Sequence, residues 1–470
     1  MRKLYFSSIL VAAGISLSLS ASAQQNSYYV KTSPNEKNFF QMVEEQEKIS
    51  NENSKVFMKS KVNKQYERWK HFWKLRVDEQ GNFPRADVWR TEKANIDQYH
   101  RNKKSESLLN ATQNNPEWKL VGPLGSPLGG MSGNGRLNGV TLSSNNENLI
   151  WVAAAGGGAW KSTDGGKSWT TTTDKIAVLA INDIALDPKN DNIVYLGTGD
   201  DWGQNAIYRN VNSAGVLKSV DGGNTWQETG LKWNTSQGIT ISKILVHPQN
   251  SSIVIATTLD GIYRSADAGA TWSKVQAGWF RDLDFHKEDP DRWYACTGTQ
   301  FFLSTDGGVK WSSKTVTGMS GTRRLAISSS EANSDFIYLL ATNNDGRFAG
   351  LFQSTDGGDT WARRSAANNL PSILEDNVEG TVNTGRQGQG WYDLAVMASP
   401  TDAKAVFVGG INIWRSVNNG QNWTIMSDWL ARSGKPYVHA DIHDIDYSSV
   451  SGKIYAATDG GLYVTSNNGT

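Results

Sequence analysis

The chain has 470 residues, with 47 Lys and Arg against 46 Asp and Glu, which gives a formal net charge of +1 at pH 7. A balance this even argues against a nucleic-acid-binding protein, which would carry a basic surface. The 46 glycines and 19 tryptophans are typical of many short strands joined by tight turns. The one cysteine, Cys296, excludes an intramolecular disulfide, and its apolar neighbours predict a buried strand residue rather than a reactive thiol.

The first 23 residues have the pattern of a secretory signal peptide. Arg2 and Lys3 form a positive end, Leu10 to Leu19 form an apolar stretch, and Ala21 to Ala23 form a small-residue cleavage site. No later segment has the roughly 18 uninterrupted apolar residues that a membrane span needs. We therefore expect a protein that is secreted or held at the outer cell surface after cleavage near Ala23, with no membrane span.

Residues 24–115 predict a helical extension followed by a linker. Segment 36–76 has few glycines or prolines and many Glu, Lys and Gln residues. Within the basic stretch 55–76, Tyr66, Trp69 and Trp73 have the spacing of one helical face. This helix either docks its aromatic face on the following domain or binds a partner or a surface.

A unit of about 50 residues recurs seven times from residue 137 onward. Each copy has an alternating strand, an apolar strand, a third strand and a polar turn that ends in Trp. We call this turn, Ser-x-Asp-x-Gly-x-x-Trp, the repeat turn. Full copies stand at Ser162–Trp169, Ser219–Trp226, Ser265–Trp272, Ser304–Trp311 and Ser354–Trp361, and degenerate copies begin at Ser416 and Thr465.

The residue types of the repeat turn explain its shape. Ser and Asp side chains can hydrogen-bond the backbone of the turn, Gly supplies left-handed positions, and Trp buries a large ring between neighbouring units. We therefore assign a structural role, rather than a catalytic or calcium-binding one, to the acidic or amide residue of each turn. These residues are Asp164, Asp221, Asp267, Asp306, Asp356, Asn418 and Asn467.

The repeat predicts an all-β fold over residues 116–470, namely a seven-bladed β-propeller of four-stranded blades, preceded by the helical extension. The seventh copy stops at Thr470, inside its turn. Residues 117–122, with Trp118, have the pattern of a fourth strand, and we expect them to complete the seventh blade. The alternative is a chain truncated at its C-terminus, in which Trp118 serves a later blade.

These motifs resemble the Asp-box (BNR) repeat propellers, a group that includes sialidases, sortilin-type receptors, photosystem assembly factors and xyloglucan-cleaving endoglucanases. The resemblance covers about residues 117–470. Blocks Gly135–Asn138, Gly388–Asp393 and His439–His443 are similar to large secreted propellers of bacteria that use type IX secretion. In those proteins a C-terminal sorting domain usually follows, and none occurs before Thr470.

Strand order places all repeat turns at one end of a propeller, so we look for a site at the other end. Three long loops there are rich in aromatic and charged residues. The first has Asp200, Asp201, Trp202 and Tyr208; the second has Glu375, Asp376, Glu379 and Arg386 before Trp391 and Tyr392; the third has Trp429, Tyr437, His439, Asp441 and His443. Aromatic rings beside carboxylates suit a glycan, and a peptide segment fits nearly as well.

The His439-x-Asp441-x-His443 sequence alternates, so on one strand all three side chains would share a face. These are metal-ligand types, but a strand whose polar residues hydrogen-bond inside the channel explains them equally well. We predict no metal and no cofactor.

An enzyme that cleaves a glycosidic bond generally needs two carboxylates that flank the bond. The candidates are Asp200, Asp201, Glu379 and Asp441. The resemblance weakens that case. Xyloglucan-cleaving relatives have a catalytic Asp in an Arg-Thr-Asp-x-Gly-Gly context in blade one, and the matching stretch Val152–Gly158 has no carboxylate. The Arg-Ile-Pro of sialidases and the cysteine-rich module of sortilin-type receptors are also missing from this sequence.

We therefore expect a non-catalytic propeller that binds a glycan or an extracellular protein. The residues assigned to binding are Trp202, Tyr208, Arg386, Trp391, Tyr392, His439 and His443. The alternative is a glycoside hydrolase, xyloglucanase-like or sialidase-like, that acts on extracellular polysaccharide. A domain that only spaces other modules of a longer protein is a third possibility.

Overall fold

The computed structural model describes residues 38–52, 66, 70–71, 73–74, 77–82, 134–200, 211–365, 373–375, 388–430 and 434–467. In this part of the chain the helix Phe39–Glu52 and 27 strands have defined bounds, residues 66, 70–71 and 73–74 are also helical, and the strands make seven antiparallel sheets. The first six sheets have four strands, and the seventh has three described strands. The predicted seven-bladed β-propeller is confirmed. The predicted signal peptide and the strand expected at residues 117–122 lie outside the described residues.

The elements follow the chain in order. Helix α1 is Phe39–Glu52, and a short 3-10 turn is Thr235–Gln237. Blades one to three are β1 Leu137–Leu142, β2 Ile150–Ala154, β3 Gly158–Ser162 and β4 Thr170–Thr171; β5 Ile181–Asp187, β6 Asn190–Thr198, β7 Gly215–Ser219 and β8 Gln227–Lys232; β9 Ile241–Val246, β10 Val254–Thr258, β11 Gly261–Ser265 and β12 Ser273–Ala277. Blades four to seven are β13 Asp282–Phe285, β14 Trp293–Cys296, β15 Phe301–Ser304 and β16 Ser312–Lys314; β17 Thr322–Ser329, β18 Ile337–Asn343, β19 Phe348–Ser354 and β20 Ala362–Ser365; β21 Ala395–Ala398, β22 Val406–Gly409, β23 Ile413–Ser416 and β24 Thr424–Ile425; β25 Ile442–Tyr447, β26 Ile454–Thr458 and β27 Gly461–Thr465.

In blades one to six the repeat turn joins the third strand to the fourth, and it is held by its own side chains. In blade one the Ser162 hydroxyl donates to Asp164 Oδ1 (2.8 Å) and accepts the Gly166 N–H (2.8 Å). Asp164 also accepts the N–H (2.9 Å) and the hydroxyl (2.6 Å) of Ser168. The hydrogen bonds from Ser168 and Ser162 lower the pKa of Asp164 to about 2. In the other six copies the Ser or Thr hydroxyl that begins the turn also donates to Oδ1 of the residue two positions later. These acceptor residues are Asp221, Asp267, Asp306, Asp356, Asn418 and Asn467.

The repeat turn also fastens its blade to the preceding one. A residue with positive φ turns a backbone carbonyl toward the preceding blade, where a basic side chain donates to it. Lys161 Nζ donates to the Gly222 carbonyl (2.9 Å), and Lys218 Nζ donates to the Ala268 carbonyl (2.9 Å). The φ angles of Gly222 and Ala268 are 68° and 56°, the left-handed region that favours glycine. Arg264 makes the equivalent bond to the next blade.

Apolar side chains fill every junction between neighbouring blades, including that of blades seven and one. The repeat-turn tryptophans contribute to these clusters: Trp226 lies 6.0 Å from Trp151 of blade one, and Trp361 lies 4.8 Å from Phe301 of blade four, ring centroid to ring centroid. Cys296 is fully buried in β14, as predicted, and burial raises the pKa of its thiol.

The ring is closed by contacts between blades seven and one. Strand β1 packs beside β25, and Asp444 of β25 accepts the Val140 N–H of β1 (3.0 Å). Inner-strand carboxylates make the same link elsewhere, since Asp183 accepts the Ile244 N–H (2.8 Å). Each such bond satisfies a backbone donor at the innermost edge of a sheet, where no further strand can pair with it.

Helix α1 contacts the short segment that follows it. Phe39 is buried and its N–H donates to the Gly81 carbonyl (2.7 Å), while Lys70 pairs with Glu47 (2.5 Å) and lies over the buried Tyr66 ring. In the described part of the chain no helix is long and apolar enough to cross a membrane.

Candidate functional site

The loops that follow the second and fourth strands of each blade gather at the end of the ring opposite the repeat turns. We call this end the mouth. Sequence-distant polar residues meet there: Asp200 follows β6, Tyr392 precedes β21, Asp441 precedes β25, and Asp459 lies between β26 and β27. Blades two, six and seven therefore contribute residues to one cluster, and Arg136, just before β1, adds blade one.

Arg136 links blades one, two and six at the mouth. Its guanidinium pairs with the Asp200 carboxylate and donates to the Tyr392 hydroxyl (3.3 Å). Asn138 donates to the other oxygen of Asp200 (3.3 Å). Burial alone would lower the pKa of Arg136, but Asp200, Tyr392 and Asp459 together raise it above its ordinary value. The guanidinium is thus a fixed positive charge near the carboxylates of Asp200 and Asp459.

The Asp459 carboxylate is held by two side chains of the cluster. The Tyr392 hydroxyl lies 2.9 and 2.8 Å from its two oxygens, and His443 Nε2 lies 2.7 Å from Oδ1. Burial would raise its pKa, but the bond to His443 and the neighbouring charges lower it below the ordinary value. Asp459 is therefore ionised at neutral pH, and its side chain keeps 27% exposure to solvent.

Asp441, near Asp459, has a pKa that is shifted in the opposite direction. Burial first, and then the charge of Asp459, raise its pKa to about 6. Gln389 Nε2 donates to its Oδ1 (2.9 Å), which holds the carboxyl in place. Its φ of 66° is in the left-handed region, which costs free energy in a residue with a side chain and is concentrated at functional sites.

Asp393 is an acidic residue that lies entirely inside the protein near the same cluster. It is 0% exposed, and burial first, then Asp441, raise the pKa of its carboxyl well above the ordinary value. Burial therefore favours the protonated form of Asp393 over the ionised one. Arg324 supports the same segment, because its guanidinium donates to the Tyr392 carbonyl (2.8 Å).

One prediction about this region is wrong. His439, Asp441 and His443 do not share a strand face, because β25 begins only at Ile442 and the left-handed backbone at Asp441 breaks the alternation. His443 is buried against Asp459, whereas His439 packs over Gly460 and its Nδ1 lies 3.0 Å from the Ala440 carbonyl. Among the described residues no group of His, Cys, Asp or Glu side chains is arranged to hold a metal ion.

The mouth opens into an axial cavity of about 370 Å³ between the innermost strands. Lys243 lies within it, 3.3 Å from Asp183. Burial alone would lower the pKa of Lys243, but Asp183 first, and then Asp444, Asp282 and Asp446, raise it above the ordinary value. Three of these carboxyls have raised pKa values with burial as the main cause: about 6 for Asp183 and Asp282, and about 7 for Asp446. The channel wall is thus acidic but partly protonated near neutral pH.

Several residues assigned from sequence are brought together at the mouth, and others cannot be placed. Asp200, Tyr392, Asp441 and His443 lie in one network, and the Trp391 ring lies 5.8 Å from that of Tyr392. The predicted residues Asp201, Trp202, Tyr208, Asp376, Glu379 and Arg386 lie outside the described residues.

Sequence reasoning gave no role to Arg136, Asp393, Gln389 or Asp459. Arg136, Gln389 and Asp393 stand in the blocks Gly135–Asn138 and Gly388–Asp393, which resemble secreted propellers. The resemblance marked these blocks but assigned no role to the three residues. Asp459 follows the second strand of blade seven, in the loop equivalent to the carboxylate-lacking loop 155–157 of blade one. A blade-by-blade alignment of that loop would have found it.

Curated proteins with related sequences are mostly xyloglucanases. A xyloglucanase of Paenibacillus sp is 24% identical over 353 residues, which cover 62% of this chain and 31% of that protein. A xyloglucanase of Hypocrea jecorina is 26% identical over 264 residues, which cover 52% of this chain and 27% of that protein. The chain is similar to xyloglucanases. It spans less than a third of the length of these relatives, and no family model matches it.

A solved structure supports the fold. The GH74 xyloglucanase of Xanthomonas campestris superposes with a TM-score of 0.52 at 19% identity, over 73% of this chain and 53% of that one. At this identity the likeness concerns the propeller and not its chemistry. The sequence comparisons favour the glycoside hydrolase alternative over the non-catalytic binder that we expected from sequence.

Proposed function

We propose that this propeller is part of an extracellular glycoside hydrolase that binds a polysaccharide across the mouth and cleaves it there. The observation that carries the proposal is the pair Asp441 and Asp459, whose pKa values are shifted in opposite directions. Glycosidic hydrolysis needs one carboxylic acid that protonates the leaving oxygen and one carboxylate that acts as base or nucleophile. Asp441 would be the acid and Asp459 the carboxylate.

The surroundings of the pair suit these roles. Gln389 holds Asp441, and Tyr392 and His443 hold Asp459. Both carboxyls are therefore already in place when a substrate binds. Arg136 supplies a positive charge that stabilises the ionised form of Asp459. Xyloglucan is the first substrate to test, since the curated relatives are xyloglucanases.

The test is release of reducing ends from xyloglucan and from mixed-linkage β-glucan by the purified protein. We expect hydrolysis that falls by at least about 100-fold in Asp441→Asn and in Asp459→Asn, the usual scale for loss of an acid or base. Asp402→Asn, in an exposed loop at the repeat-turn end, is the matched control and should retain full activity. Hydrolysis that persists in both mouth variants would contradict the assignment.

The second candidate is the non-catalytic binder expected from sequence. It is favoured by the blade-one loop 155–157, which has no carboxylate, and by the engagement of both Asp459 oxygens with Tyr392. It predicts retention on a polysaccharide without release of reducing ends, with loss of retention in Trp391→Ala. Under this proposal the binding residues are Trp202, Tyr208, Arg386, Trp391, Tyr392, His439 and His443. A pure spacer domain would show neither cleavage nor retention.

We also propose that the protein is exported and that the repeat turns are Asp-box turns. The pattern of residues 1–23 supports export. N-terminal sequencing of protein recovered from the medium or the outer cell surface should find a new terminus just after Ala23. An intact Met1 on the mature protein would contradict export by this route.

A further inference from the structure

Trp279 is a large exposed ring in a loop that is otherwise firmly anchored. The loop joins β12 to β13 at the mouth, and Trp279 is 47% exposed. The next residue, Phe280, is fully buried, and its N–H donates to the Thr258 carbonyl (3.0 Å). The Arg281 N–H donates to the Cys296 carbonyl (2.8 Å). Because the loop is fixed on its far side by the core and by two strand ends, Trp279 is held in its exposed position.

Arg281 covers one face of this ring. Its guanidinium carbon lies 3.9 Å from the Trp279 ring centroid, and the side chain is 9% exposed and lines the axial cavity. The exposed part of the indole therefore lies on its other face and its edge. Trp279 stands at the rim of the mouth as a flat apolar surface supported from beneath.

The charges around the ring select the kind of ligand. A cation is disfavoured, because Arg281 already occupies one face of the indole and its charge repels a second cation. An anionic polymer that crossed the mouth would meet the ionised carboxylate of Asp459 on blade seven. A neutral ligand with a flat apolar face and a polar rim remains, and a pyranose ring has this shape.

We propose that Trp279 is a stacking platform for a neutral pyranose unit of a polysaccharide that crosses the mouth. The inference rests on the proposed function for the identity of that polysaccharide. In a ring of seven blades the junction of blades three and four lies across from blade seven, which carries Asp441 and Asp459. A ligand that touches both must span the mouth, so long oligosaccharides should bind better than disaccharides.

Affinity electrophoresis through gels containing xyloglucan or mixed-linkage β-glucan tests the platform. All variants are made in the Asp441→Asn protein, so that cleavage does not interfere. We expect Trp279→Ala to weaken retention roughly three- to ten-fold, the value of one aromatic stacking contact, and Trp279→Phe to weaken it less. The control is Val417→Ala, which changes another exposed apolar residue, at the repeat-turn end, and should retain the parental affinity.

The outcomes separate this inference from the proposed function. If the parent binds and Trp279→Ala binds equally well, or if the parent binds neither polysaccharide, the platform is refuted. If Trp279→Ala weakens binding but the protein with Asp441 intact releases no reducing ends, the platform stands and the hydrolase proposal fails. Thermal unfolding of each variant, expected within a few degrees of the parent, shows that lost retention is not lost folding.

Discussion

Replacement of Asp446 by asparagine tests the electrostatics of the channel. Burial, and then the charge of Asp444, raise the pKa of Asp446 from 3.8 to about 7. Between about pH 4 and pH 7 the folded protein therefore holds a proton that the unfolded chain has released. Folding stability contributed by this proton is complete below pH 4 and is lost as the pH rises through 7. The asparagine side chain would carry no charge at any of these pH values, so this loss should disappear.

The magnitude follows from the size of the shift. A rise of about three pKa units, at about 1.4 kcal/mol each, gives about 4 kcal/mol as the upper bound. The side chain is only partly shielded from the channel, so about 2 kcal/mol is the expected value. The substituted asparagine would keep an oxygen for the Tyr447 N–H, which Asp446 accepts at 2.8 Å, so little structural cost is expected.

Urea unfolding of both proteins at pH 4.5, 6 and 8 measures the effect. The variant should gain stability relative to the parent as the pH rises, and most of the gain should occur between pH 5 and 7. Asp267→Asn is the control, because hydrogen bonds from Thr271 and Ser265 lower the pKa of Asp267 to about 2 and place its titration outside this range. A stability difference for Asp446→Asn that stays constant from pH 4.5 to 8 would refute the reasoning.

Three further predictions concern the turns and the mouth. Trp361→Ala removes a ring that is 5% exposed and should lower the free energy of unfolding in urea by about 3–5 kcal/mol. Trp169→Ala should lower it clearly less, because the Trp169 ring is only partly buried. Equal losses in the two variants would contradict the packing argument. Hydrolysis, if present, should decline as the pH rises past about 6, since Asp441 then loses the proton that an acid must donate. Gly222→Ala should cost about 1–2 kcal/mol at its φ of 68°, whereas Ala268→Gly should be neutral or stabilising in thermal unfolding; the reverse order would be inconsistent with a left-handed turn.

The fold was predictable because the information that specifies it is local. In the repeat turn, Ser162, Asp164 and Ser168 satisfy one another within seven residues, so the pattern alone shows where a third strand ends and a fourth begins. Seven copies at blade-like spacing then give the number of blades. Ring closure follows from geometry, since a seventh blade packed like the others meets the first.

The mouth was only partly predictable because its contacts join residues far apart in the chain. Arg136 and Tyr392 are 256 positions apart, and Asn138 and Asp200 are 62 apart. No local pattern records such pairs. The His439-x-Asp441-x-His443 prediction failed for a related reason: the left-handed backbone of Asp441 is imposed by its neighbours in space, and the alternation of residue types does not reveal it.

Aspartate side chains have opposite pKa shifts at the two ends of the ring. At the repeat-turn end, short hydrogen bonds hold the pKa of Asp164 and Asp221 at about 2, so these carboxylates stay ionised and have no proton to give at any ordinary pH. At the mouth, burial raises the pKa of Asp441 to about 6, so its proton is available near neutral pH. In these turns the ionised carboxylate accepts hydrogen bonds from neighbouring hydroxyl and N–H groups, and those bonds favour the ionised form. Acid chemistry near neutral pH needs carboxyls that do not hold a turn, and the Asp441 carboxyl of the proposed site meets this condition.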